Sequence, residues 1–168
     1  RFDFMGDILS VSPSNELAIV QGMTSTTGGT LSRVPMSGGT PRAVLESVAY
    51  AGADFSPDGK ELAVAHMVDG KTRLEFPIGK VLLPDILAGP RISPDGRSVA
   101  FWEVVDGRGA VAVIDRAGGQ RRVLSGGWTP PMGGAPGWSP DGREIWFTAG
   151  RPGETDALSA VDLSGKLR

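Results

Sequence analysis

Apolar residues in this chain come in short unbroken runs: Leu17-Ala18-Ile19-Val20, Leu62-Ala63-Val64-Ala65, Val99-Ala100-Phe101-Trp102 and Ile145-Trp146-Phe147. Successive residues of a strand point to opposite faces, so a run apolar at every position makes a strand that is greasy on both sides. Such strands belong between stacked sheets, not on a half-solvated surface. Each run follows a turn signal. Phe55–Val64 (FSPDGKELAV), Ile92–Phe101 (ISPDGRSVAF) and Trp138–Phe147 (WSPDGREIWF) align without gaps, and Val11–Val20 (VSPSNELAIV) is a weaker fourth copy.

The turn has a mechanical reading. Pro13, Pro57, Pro94 and Pro140 preset φ near −65°, Asp58, Asp95 and Asp141 accept local backbone hydrogen bonds, and Gly59, Gly96 and Gly142 tolerate positive φ. In the weaker copy Asn15 takes the glycine position, as the next residue best suited to it. The serines at 12, 56, 93 and 139 are separated by 44, 37 and 46 residues. That irregular period of roughly 40–45 residues is typical of propeller blades joined by loops of variable length.

Three more strands complete each unit. Asp69-Gly70 and Asp106-Gly107 are strong hairpin turns. Third strands are predicted over Thr30–Pro35, Thr72–Pro77, Ala110–Asp115 and Leu158–Leu163, and more polar fourth strands over Arg42–Leu45, Lys80–Leu83 and Arg121–Leu124. Four antiparallel strands per unit make a β-propeller blade. A β-sandwich also has short regular strands, but it does not require the same turn at the same point of every unit. The fold class is therefore all-β, a single domain over 1–168 with about four blades, at approximately 5–46, 47–84, 85–126 and 127–168. No helix is predicted.

Composition agrees. Twenty-five glycines and 13 prolines would suggest disorder, but 40% of residues are hydrophobic and they are patterned, so dense turns account for both. Net charge is −2 and the longest cationic cluster is Arg121-Arg122, which leaves no footprint for nucleic acid. With no cysteine, disulfides, thiol catalysis and thiolate metal sites are excluded. No apolar run approaches the ~20 residues of a bilayer span, so direct membrane insertion is not expected. No signal peptide is recognised, and a chain that starts at Arg1 is expected to be a processed product or part of something longer.

The segments FSPDGKELAVAH, ISPDGRSVAFWE and WSPDGREIWFTA resemble the WD-repeat-like blades of the TolB propeller family, which carry Ser-Pro-Asp-Gly in place of Trp-Asp. The stretches LSRVPMSGGTPRAVL, RLEFPIGKVL and AVAVIDRAGGQRRVLSGGW further resemble propeller regions that follow the catalytic domain of bacterial serine/threonine kinases. The resemblance implies a non-enzymatic module for protein or peptide recognition, as the sensor part of a larger bacterial protein in a periplasmic or extracytoplasmic setting. It also leaves open an accessory propeller of a prolyl-oligopeptidase-like hydrolase, or a propeller piece without activity of its own. Propellers of this family close with six or more blades. Four units therefore leave three closures open, a four-bladed ring within one chain, a homodimer closing an eight-bladed ring, and an open piece of a longer propeller, of which the last two are favoured. Arg1–Phe4 is expected to supply the outer strand of the last blade.

Little in the sequence suggests catalysis. His66 is the only histidine, the repeated serines lie in mechanical turns, and no Gly-x-Ser-x-Gly elbow exists. Asp58, Asp95 and Asp141 sit on separate blades and are read as turn residues, not as a metal site; neither metal nor cofactor is expected. Two residues before each repeated serine, the innermost strand places Ser10, Asp54, Arg91 and Gly137. An Asp/Arg pair there fits either an ion pair across the channel or a polar socket for a small anion or peptide terminus. Trp128 and Met132, in the loop Gly127–Gly134, are candidate partner-surface anchors. The apolar stretch Leu82–Leu87 is expected to cover an edge or meet a partner.

Overall fold

The computed structural model describes residues 4–24, 26–131 and 134–168. All the regular structure is antiparallel strand. The first blade runs outward as β1 (Asp7–Val11), β2 (Glu16–Thr24), β3 (Gly28–Pro35) and the first half of β4 (Arg42–Phe55). β4 then does a second job. Its outer half pairs with β3 through Val48, and Ala53–Phe55 pair with Leu62–Val64 as the inner strand of the second blade. Positive φ at Ser47 and Ala51 accompanies this change of partner. The second blade continues with β5 (Leu62–Val68), β6 (Lys71–Glu75) and β7 (Val81–Leu83). The third is β8 (Ala88–Ile92), β9 (Ser98–Val105), β10 (Arg108–Asp115) and β11 (Arg122–Trp128). The fourth is β12 (Gly137–Trp138), β13 (Glu144–Ala149) and β14 (Ala157–Asp162).

Beside β14 the chain adds its own last residues. Leu167 bridges to Val161, and Arg168 exchanges both backbone hydrogen bonds with Ala160, at 2.9 and 2.8 Å. Phe4 packs instead on Leu17, Ile19 and Val34 of the first blade. The expected N-terminal completion of the last blade is corrected to that extent, because Phe4 finds an apolar face closer in sequence; Arg1–Asp3 lie outside the described residues.

The core lies between blades, and the two-faced strands explain why. On β5, Leu62 and Val64 face the first blade in a cluster with Val20, Leu31 and Phe55, while Ala63 and Ala65 join Leu74, Phe76, Val99 and Phe101 toward the third. On β9, Val99 and Phe101 face back, whereas Ala100 and Trp102 face forward onto Ile145 and Phe147 of β13. β5 and β9, the second strands of the two middle blades, thus each glue two sheets at once. Each fully buried large side chain contributes about 1.5–3 kcal/mol. The stretch after β7 is a strap: Ile86 N–H donates to Thr72 O and Leu87 N–H to Trp102 O, which draws the second and third blades together.

The corners are geometrically alike. Ser56, Ser93 and Ser139 hydroxyls each donate to Asp58, Asp95 and Asp141 at 2.6 Å. Gly59, Gly96 and Gly142 N–H groups donate to the serine carbonyls at 2.7, 2.8 and 2.9 Å, with φ of 71°, 73° and 69°. In the first corner Asn15 has φ 60° and its N–H reaches Ser12 O, while Ser14 replaces the aspartate, its hydroxyl 2.7 Å from that of Ser12. Corners also abut one another. A Cβ on Gly59 would lie 2.4 Å from Ser12 Oγ, one on Gly96 3.5 Å from Pro57 Cδ, and one on Gly142 3.7 Å from Pro94 Cδ.

Candidate functional site: the inner strands

The inner strands bring Ser10, Asp54 and Arg91 together. Ser10 Oγ donates to Asp54 Oδ1 at 2.7 Å and accepts the Phe55 N–H at 3.2 Å. The other carboxylate oxygen, Oδ2, accepts the Ile92 N–H at 2.8 Å. One side chain therefore ties three blades at their innermost strands. Burial pushes the Asp54 carboxyl above the ordinary carboxylate value; the Ile92 N–H, the Ser10 hydroxyl and the Arg91 charge oppose that rise without cancelling it.

Arg91 is held by carbonyls. Its Nη1 donates to Pro90 O at 2.8 Å and to Ala53 O at 3.3 Å. Burial pulls its pKa down and the Asp54 carboxylate pulls it back up. The two charges feel each other, but among the described residues they form no contact ion pair; the carboxylate oxygens are already engaged. Nε and Nη2 of Arg91 donate to no group among the described residues. On the fourth inner strand Gly137 offers no side chain, and its neighbour Trp138 donates Nε1–H to Arg91 O at 2.9 Å.

The remaining sequence-derived candidates fall elsewhere. Trp128 is a correction. It ends β11 as a strand residue, 5% exposed, its ring 5.3 Å from Phe147 and 4.8 Å from the Arg151 guanidinium, with Nε1–H on Ser125 Oγ. Sheet pairing with Gly109 draws it between blades, so it is not a free surface anchor. Met132 lies outside the described residues. The turn residues Asp58, Asp95 and Asp141 are spent on their own corners, where the serine hydroxyl first and a following backbone N–H second hold each carboxyl below its ordinary value.

Two buried carboxylates were not singled out from sequence. Glu75, 3% exposed, receives the His66 Nδ1 contact at 2.8 Å and the Gly79 N–H at 2.8 Å. Arg73 Nε stands 3.0 Å from Glu75 Oε1 as a charge partner, its N–H not aligned for a hydrogen bond. Glu103, 5% exposed, takes Arg121 Nε on Oε2 at 2.6 Å. His66 and Glu103 occupy equivalent second-strand positions, so a polar residue in a run of apolar ones was the available signal.

No protein-family model matches the chain, and no curated protein matches it in sequence. Solved structures do. A protein assigned as TolB in Agrobacterium tumefaciens superposes with a TM-score of 0.75 at 20% identity, covering 94% of this chain and 62% of that one. TolB of Acinetobacter baumannii gives 0.72 at 21% identity, over 95% and 41%. Hydrazine synthase of Kuenenia stuttgartiensis gives 0.66 at 21%, over 94% and 51%. The chain is an all-β protein built of propeller blades, with the TolB-like β-propeller fold. It spans 62% and 41% of the two TolB chains it matches.

Proposed function

We propose that the chain is a non-enzymatic propeller module that recognises a protein or peptide through its inner-strand surface, as the sensor or scaffold part of a larger extracytoplasmic bacterial protein. The observation that carries this reading is Arg91. It is fixed by two carbonyls and a buried carboxylate's field, yet keeps N–H donors uncommitted. A guanidinium held in place in this way suits a carboxylate, such as a peptide C-terminus. The repeated serines support a non-catalytic role, since each hydroxyl is turned into its own corner and not toward a base.

A peptide array with free C-termini tests the reading. Saturable binding is expected, weakened about tenfold or more in Arg91→Ala by loss of a charge-assisted pair, with the peptides recovered intact by mass spectrometry. Unchanged affinity in the variant refutes the socket. Cleaved peptide refutes the non-enzymatic reading and favours the accessory role in a hydrolase.

A second reading concerns assembly. On the outward face of the first blade Ile8 and Val11 are 62% and 55% exposed, and on the fourth blade Leu158 is 67% exposed. Faces of this kind are glued in pairs elsewhere in the chain, so we propose that a second copy covers them in an eight-bladed dimer. Light scattering on the same sample is expected to give twice the chain mass; the single-chain mass refutes it.

A further inference from the structure

A groove runs between the outer halves of the second and third blades, with a volume of about 720 Å³. One wall is the end of β7 and the strap after it, where Leu83, Ile86 and Leu87 present an apolar surface; the other is the end of β9 and the turn between β10 and β11. Glu103 lines it. Its side chain lies on the same face of β9 as Val99 and Phe101, the face turned to the second blade. Only one of its oxygens is used. Oε2 accepts from Arg121, while Oε1 is buried and has no hydrogen-bond partner among the described residues.

A buried carboxylate oxygen without a donor is costly, by an amount comparable with a lost charged hydrogen bond. The groove holds two carboxylates, Glu103 and Asp85, against the one guanidinium of Arg121, so it is short of a positive charge. A metal ion needs several oxygen ligands, which this apolar-walled groove does not supply. An organic cation with an aliphatic stem satisfies every part. Its methylenes cover Leu83 and Leu87, and its N–H group meets Oε1 once the Glu103 carboxylate turns from its closed position toward the groove.

We propose that this interblade groove binds the basic side chain, arginine or lysine, of a peptide ligand, with Glu103 Oε1 as the acceptor. The site is separate from the inner strands: Arg91 is on β8, and none of the groove's lining comes from that strand. Failure of the inner-strand reading therefore leaves it standing.

The test uses N-acetyl-arginine methylamide and its neutral analogue N-acetyl-citrulline methylamide, titrated into the intact chain and followed by backbone amide shifts. Saturable shifts at Leu87, Glu103 and Val104 are expected with the arginine probe, and affinity at least about tenfold weaker for citrulline. Glu103→Gln turns the unused acceptor into a donor and is expected to weaken the arginine probe by a similar factor. Asp85 lines the groove at an exposed position on the strap. Asp85→Arg therefore sets a competing guanidinium over the site without touching the core, and abolishes the shifts even where Glu103→Gln fails to fold. Arg91→Ala leaves them unchanged. Equal binding of both probes, shifts centred elsewhere, or no saturable shift with the arginine probe overturns the proposal.

Discussion

Trp102→Ala lowers the stability of the folded chain by about 3–5 kcal/mol, the range for deleting a buried tryptophan side chain. Trp102 is 1% exposed, and it stands edge-on to Phe147 with ring centroids 5.5 Å apart and an interplanar angle of 88°. Phe147 in turn meets Trp128, so the three rings form the contact between the third and fourth blades. Edge-to-face pairs add about 0.5–1.5 kcal/mol beyond the buried area. The neighbours are strands of two rigid sheets that cannot collapse into the space left behind. Denaturant unfolding monitors the loss, and near-UV circular dichroism is expected to lose signal from the remaining rings. A loss below about 1 kcal/mol would place Trp102 in a loosely packed surface.

Glu75→Ala costs about 3 kcal/mol at neutral pH, because it strands the partners of a buried charge. His66, Arg73 and the Gly79 N–H all converge on this carboxylate. Burial alone would raise its pKa, but Gly79, His66 and Arg73 outweigh burial and hold it below the ordinary glutamate value. A carboxyl lowered in the folded state binds fewer protons there than in the unfolded chain. Its stabilisation is thus complete above the ordinary value near ~4.3 and is lost as pH falls through the lowered folded value. The gap between parent and variant is expected to be widest at neutral pH and to narrow below about pH 4. A gap that stays constant with acidification would mean that Glu75 acts by shape and not by charge.

Much of this architecture is legible in the sequence because its causes are local. Ser-Pro-Asp-Gly encodes a corner whichever blade holds it, and an apolar run of period one encodes a strand with two partners. Even the weak first copy works, since Asn15 and Ser14 supply the positive φ and the hydroxyl that the corner needs. What escapes the sequence depends on distant partners. Trp128 follows Gly126-Gly127 and precedes Pro130-Pro131, which reads as loop; only pairing with Gly109 extends β11 to reach it. β4 carries only a faint turn signal between its two roles: Ser47 and Ala51 take positive φ without being glycine, and Gly52 is a single glycine inside an otherwise strand-like stretch. Glu103 meets Arg121 across 18 residues and the strap across another blade, and no local pattern specifies either contact. Likewise Asp54 receives Ser10 and Ile92 from neighbouring blades, 44 and 38 residues away.

All of this depends on successive corners sitting one against the next along the inner end of the blades. Nuclear Overhauser contacts between Gly96 Hα and Pro57 Hδ, and between Gly142 Hα and Pro94 Hδ, measure that stacking directly, since nothing in the sequence brings these pairs together except blade-on-blade packing. Both contacts are expected. Assigned spectra in which neither pair is in contact, with each glycine instead near residues of its own unit alone, would contradict the arrangement.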